Sequence, residues 1–264
     1  MKLPALPRID PTGPAQLGFE AAARATKMDP DDRWVGGYAA YEWDHVRLAL
    51  EAYGIDVEGR DVLEFGCNVG GSAVVLTALG ARLSGVDIDP LMLPIAQANL
   101  ARHGFGGDLG LALAGEPLPF DDASFDLILA NSVLEMVELK LLDPIIAEFH
   151  RVLRPGGQLF ICGTASGIVL RERHSGRWLV NYWPRAFDRL MGREIQRGLS
   201  PWSLASALSG RFAELDEGMA WLAARQAIHG SVSSPVRAYA LLGRLMRRSP
   251  GSFSPFIELL LRKI

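Results

Sequence analysis

The stretch DVLEFGCNVGGSAVVLTAL, from Asp61 to Leu79, constrains this chain more than any other. Val62, Leu63 and Phe65 surround Glu64 in a short apolar run of the kind found in a parallel strand buried on both faces. Gly66 then lets the backbone turn sharply and lets a ligand approach it closely. Past Gly70 and Gly71, the run Ser72–Leu79 is apolar except for Ser72 and Thr77, and is long enough for a helix. Strand, glycine turn and helix together aim free N–H groups at a polar or anionic ligand. Glu64, two residues before the turn, can meet a cationic part of the same ligand. S-adenosylmethionine, with its carboxylate, ammonium and sulfonium, calls for both.

A second acid follows at the expected distance. Arg82–Asp87 reads as the next strand, and Asp87 lies 23 residues beyond Glu64, near the offset of a ribose-binding carboxylate. Ile88 offers an apolar face beside it, while Asp89 and Pro90 suit the start of a helix over Leu91–His103. Further short strands are expected at Leu109–Ala114, Phe125–Ala130, Gln158–Gly163 and Phe212–Asp216. Helices are expected at Gln16–Lys27, Trp34–Tyr53, Pro144–Leu153 and Pro201–Leu208, and over most of Gly218–Met246 with an interruption at Ser231–Pro235. Alternation of strands and helices predicts a parallel sheet, whose ligands bind at the carboxyl ends of the strands. That rule brings Glu64, Asp87, Glu116 and Asn131 to one crevice.

EFGCNVG resembles the first motif of the class I S-adenosylmethionine-dependent methyltransferases, with Asn68 where the middle glycine usually stands. Leu118-Pro119-Phe120, Ser124-Phe125-Asp126, Leu134-Glu135 and the segment LRPGGQLFI from Leu153 are similar to further stretches of that family, in its type 11-like branch. Two departures stand out: Ala114 replaces a frequent Asp, and Met136 a frequent His. The resemblance covers Val57–Thr164 well and Pro201–Asp216 and Phe256–Lys263 loosely. It implies an α/β, Rossmann-like sheet of seven strands, mostly parallel with the last, Phe256–Lys263, antiparallel, and helices on both faces. It also implies S-adenosylmethionine as cofactor, held by Glu64, Gly66, Cys67, Asn68, Gly70, Asp87, Ile88, Gly115, Glu116 and Asn131. The implied reaction is methyl transfer to a small molecule, with an oxygen acceptor on a glycan, lipid or secondary metabolite as the expectation. A nicotinamide oxidoreductase and a non-catalytic S-adenosylmethionine-binding protein are the competing readings. The dinucleotide pattern G-x-G-x-x-G is broken at Asn68, and the Pro-Pro-aromatic motif of base-amine methyltransferases is missing after Asn131.

The segments outside that core divide the chain into an N-terminal arm and helix at 1–45 and a methyltransferase domain at 46–264, with a cap insertion at about 166–200. The arm is expected to be ordered only where it packs on the ligand. The insertion, helical and aromatic, carries Trp178, Tyr182 and Trp183, which together with Tyr41 are the substrate-binding candidates. His174 and His45 are the candidate bases, needed only if the acceptor is a weakly acidic hydroxyl. No metal site is expected, because Cys67 and Cys162 stand far apart and lack ligand spacing. A net charge of −3 offers no broad attraction to nucleic acid. The proline-broken N-terminus and the lack of 18 consecutive apolar residues predict neither signal peptide nor membrane span, so a cytoplasmic location is expected. For RAYALLGRLMRR, Arg237 to Arg248, packing into the core is expected rather than peripheral membrane contact or a partner helix. The oligomeric state is left open.

Overall fold

The computed structural model describes residues 5–173, 175–184, 188, 197–216 and 218–264. Its centre is a seven-stranded sheet in the order β3-β2-β1-β4-β5-β7-β6. The strands are β1 (Asp61–Phe65), β2 (Arg82–Asp87), β3 (Asp108–Leu111), β4 (Phe125–Asn131), β5 (Leu153–Ala165), β6 (Phe212–Glu214) and β7 (Phe256–Lys263). All neighbours pair in parallel except β7, which runs antiparallel between β5 and β6. Strand order reverses between β1 and β4, and that reversal opens a crevice at their carboxyl ends.

Helices cover both faces. On one side α3 (Val46–Ala52), α4 (Gly71–Ala78) and α8 (Met219–His229) pack Leu50, Val74, Leu76 and Trp221 over Val62 and Phe160. On the other, α6 (Leu139–Val152) and α7 (Pro201–Leu208) pack Ile146, Phe149 and Leu204 over Leu63, Ile128 and Ile161. The central strands are therefore apolar on both faces, as parallel strands must be when no side meets water. At the far end of the sheet Arg154 bridges Asp61 (2.8 Å) and Asp126 (2.6 Å), tying the amino ends of β1 and β4 together away from the crevice.

Three segments differ from the sequence expectation. The N-terminal segment is folded onto the domain: α1 (Pro14–Ala25) buries Phe19 and Ala23 against Val69 and Ile95. Arg102, on α5 (Met92–Arg102), lies over the Phe19 ring and donates to the Gly36 carbonyl (2.7 Å), so this contact needs no ligand. The single helix expected over Trp34–Tyr53 is two, α2 (Tyr38–Trp43) and α3. They part at His45, whose Nδ1 donates to the Tyr41 carbonyl (2.7 Å) and competes with the helical ladder there. Finally, α6 begins before Pro144 and accommodates it within the helix.

Candidate functional site

The turn between β1 and α4 is built for close approach. Gly66 has φ 78°, and a Cβ there would stand 2.4 Å from Val133 Cγ2 on the loop after β4. Its N–H and that of Cys67 both donate to the Val86 carbonyl, at 2.8 and 3.0 Å, which fixes the turn to β2. Asn68, also left-handed at φ 47°, donates its N–H to Asp87 Oδ2 (2.7 Å). The other Asp87 oxygen accepts from the Asp89 N–H (2.9 Å). Asp87 thus knits two loops together while keeping lone pairs for a ligand. Gly71 serves a second close approach, since a Cβ there would lie 2.4 Å from the Tyr38 ring.

Below the turn lies a buried polar network. Glu64 is 3 % exposed, accepts from the Ser72 hydroxyl, and leaves its Oε2 without a partner. Asn131, at the end of β4, donates to Ser72 Oγ (3.0 Å) and to Glu42 Oε1 (3.0 Å). Glu42, on α2, is 2 % exposed and also accepts from Tyr38. Burial pushes Glu42 up to about 7 against the pull of those two hydrogen bonds. Burial, then the neighbouring Glu42 and then Asp87 drive the Glu64 carboxyl well above the usual carboxylate range. Among the described residues no Lys or Arg pairs with either acid. Burial without a cation favours the protonated forms of such a pair, and a cation entering the site favours the ionised ones.

A cavity of about 740 Å³ opens above this network, within the usual range for a cofactor site. It is lined by Glu64, Gly66, Cys67, Asn68, Asp87, Ile88, Gly115, Glu116 and Asn131, nine of the ten residues that sequence reasoning placed around the cofactor. Ile88, 60 % exposed, lays its side chain along one wall. The loop after β3, Ala112–Leu118, forms another, and α6 holds that loop in place. Glu148 accepts from the Leu118 N–H (2.8 Å), and Arg151 donates to the Leu118 and Phe120 carbonyls at 3.0 and 2.8 Å. Val133, Met136, Val137, Leu141 and Ile145 make the remaining lining largely apolar.

Other sequence candidates lie elsewhere. Gly70 is the residue before α4, backed against Ala96, and does not line the cavity. Tyr41 and His45 stack on each other (3.8 Å between ring centres) outside it, and Tyr38 of the same segment takes the place at the wall. In the insertion, Trp178, Tyr182 and Trp183 do not line the cavity, and the Tyr182 hydroxyl is taken by the Ile168 carbonyl (2.6 Å). His174 lies outside the described residues. Glu42 and Ser72 escaped sequence reasoning. Ser72 alone carried a signal, as the lone polar residue opening an apolar helix.

Comparison with known proteins agrees with this geometry. Residues 63–161 match the methyltransferase domain family. An uncharacterized protein of Haemophilus influenzae is 36 % identical over 143 residues, 53 % of either chain. The demethylmenaquinone methyltransferase of Tropheryma whipplei is 34 % identical over 116 residues, 44 % of this chain and 46 % of that one. The chain therefore spans about half the length of the curated relatives it matches. The structure of an S-adenosylmethionine-dependent methyltransferase from Mesorhizobium loti shares the fold, with TM-score 0.53 and 24 % identity over 84 % of this chain and 97 % of that one. The fold is that of the class I S-adenosylmethionine-dependent methyltransferases. Over 63–161, from within β1 to within β5, the sequence matches the methyltransferase domain family.

Proposed function

We propose that this protein is an enzyme that binds S-adenosylmethionine and transfers its methyl group to a small-molecule acceptor. The observation that carries the reading is the buried acid pair, Glu64 and Glu42, set behind the glycine turn without a cation partner among the described residues. The residues present fit the cofactor: the free Glu64 oxygen suits its ammonium, Asp87 the ribose hydroxyls, and Ile88, Gly115 and Glu116 the adenine. Bound there, the cofactor supplies a methyl group already activated on a sulfonium. The chain then has to orient the acceptor and exclude water, which the apolar stretch from Val133 to Ile145 is suited to do. No His or Lys lines the cavity among the described residues, and the Tyr38 hydroxyl is committed to Glu42, while burial first and then that acid hold it well above its ordinary range. An acceptor that gives up its proton readily to water is favoured by that lining, whether its nucleophile is oxygen or another atom.

Titration calorimetry with S-adenosylhomocysteine and with NAD separates this reading from a nicotinamide enzyme. Binding of S-adenosylhomocysteine alone is expected. Heat from NAD and none from S-adenosylhomocysteine would overturn the proposal.

A further inference from the structure

The segment from Gly218 to Ile257 contains no Asp or Glu and five arginines, in a chain whose net charge is −3. It forms a helical hairpin between β6 and β7: α8 packs inward on α3, and α9 (Ser234–Met246) lies over α8 and the turn Pro250–Ser252. The face of α9 that meets the domain is its small-residue side, with Ala240 and Gly243 buried. A Cβ at Gly243 would stand 2.7 Å from the Arg248 carbonyl and from Pro250, so that side is closely fitted. The opposite face is where the leucines are. Leu241 is 60 % exposed and Leu245, one turn on, is 75 % exposed, with Leu242 and Met246 beside them. This corrects the sequence expectation that RAYALLGRLMRR packs into the core.

Arg237, Arg244, Arg247 and Arg248 are all exposed around this leucine face. None forms an ion pair among the described residues, and only Arg248 feels a nearby acid, Glu214. A leucine face rimmed by unpaired arginines complements a surface that is negative outside and apolar beneath. At 13 residues α9 is too short to cross a bilayer, and no described helix is long and apolar enough to do so. The hairpin joins the start of β7, beside Ala165 at the carboxyl edge of the sheet where the cavity opens. The exposed Trp202, 75 % exposed near the start of α7, stands in the connection that leaves the same edge after β5.

We infer that α9 is a peripheral docking helix for an anionic phospholipid bilayer, lying in the interface with Leu241, Leu242 and Leu245 inserted and the arginines at the headgroups. The inference stands independently of the cofactor reading. It is tested by co-sedimentation of the full chain with vesicles of phosphatidylcholine containing phosphatidylglycerol, against vesicles of phosphatidylcholine alone. Binding is expected only to the anionic vesicles and should weaken as salt rises. Leu241→Ser/Leu245→Ser should lower it by about a hundredfold, and Arg237→Gln/Arg244→Gln by about fivefold per arginine. Circular dichroism and thermal unfolding of the same variants, whose changes fall on exposed residues, should match wild type. Failure of wild type to bind, or equal binding by the leucine variant, overturns the inference. So does a wild-type dimer that the leucine changes dissociate, which would make a second copy of the chain the occupant.

Discussion

Asp87→Ala is expected to lower affinity for S-adenosylhomocysteine by about a hundredfold or more. On the proposed reading the carboxylate would supply charge-assisted acceptors for the ribose, on the order of 1.5–3 kcal/mol for each hydrogen bond lost. Two bonds at the low end already make roughly 3 kcal/mol, and tenfold corresponds to about 1.4 kcal/mol. The substitution also frees the Asn68 and Asp89 N–H groups, so the turn around Gly66 should loosen as well. Asp87→Asn keeps an acceptor and the side-chain volume, and should fall between the two. Calorimetry reads affinity and thermal unfolding reads the turn. Reduced stability with unchanged affinity would leave Asp87 as a loop tie only.

Gly66→Ala should cost about 2–5 kcal/mol of stability. Its left-handed backbone alone costs a non-glycine residue roughly 1–2 kcal/mol, and overpacking against Val133 adds about 1–3. For a chain of this size that lowers the unfolding temperature by about 10 °C. Adding Val133→Ala should restore part of the loss by clearing the methyl at 2.4 Å, while the backbone strain stays. No recovery in the double variant would show that the loop after β4 does not press on this turn.

What was legible in the sequence was whatever strand ends and local turns encode. Glu64, Gly66, Asp87 and Asn131 stand at the carboxyl ends of successive or neighbouring strands, and an apolar run ending in an acid or a glycine marks such an end directly. The seven strands and the antiparallel β7 followed from the resemblance, whereas the strand order is a property of the folded sheet that no single segment carries. Glu42 was not legible, because its meaning comes from Asn131, 89 residues away, and from burial that composition cannot show. The aromatic run of Tyr38, Tyr41 and His45 was plain, but which ring meets the cavity depends on the missing Cβ of Gly71, against which Tyr38 packs. The break at His45 depends on one side-chain hydrogen bond, which competes locally with a helical pattern that looks continuous. Aromatic richness in the insertion suggested a substrate wall, yet Trp178 and Tyr182 are exposed and do not line the cavity, since composition fixes no placement. On α9 the apolar and basic residues were plain, but which stripe faced inward depended on the small residues Ala240 and Gly243.

The central claim is that a buried, uncompensated acid pair waits for a cation, and proton release on binding tests it most directly. Burial pushes Glu42 up to about 7 and, with Glu42 and Asp87 nearby, holds Glu64 well above the usual carboxylate range, which favours the protonated carboxyls in the free protein. A bound ammonium favours the ionised forms, which expels protons, and by linkage affinity then rises with pH until the site is ionised before binding. Calorimetric titration of S-adenosylhomocysteine near pH 6, in two buffers of different ionisation enthalpy, counts the protons released. Net release is expected, with affinity climbing from pH 5.5 to 7.5, and Glu42→Gln should reduce both. Binding with no proton exchange, or affinity that falls as pH rises, would contradict the account.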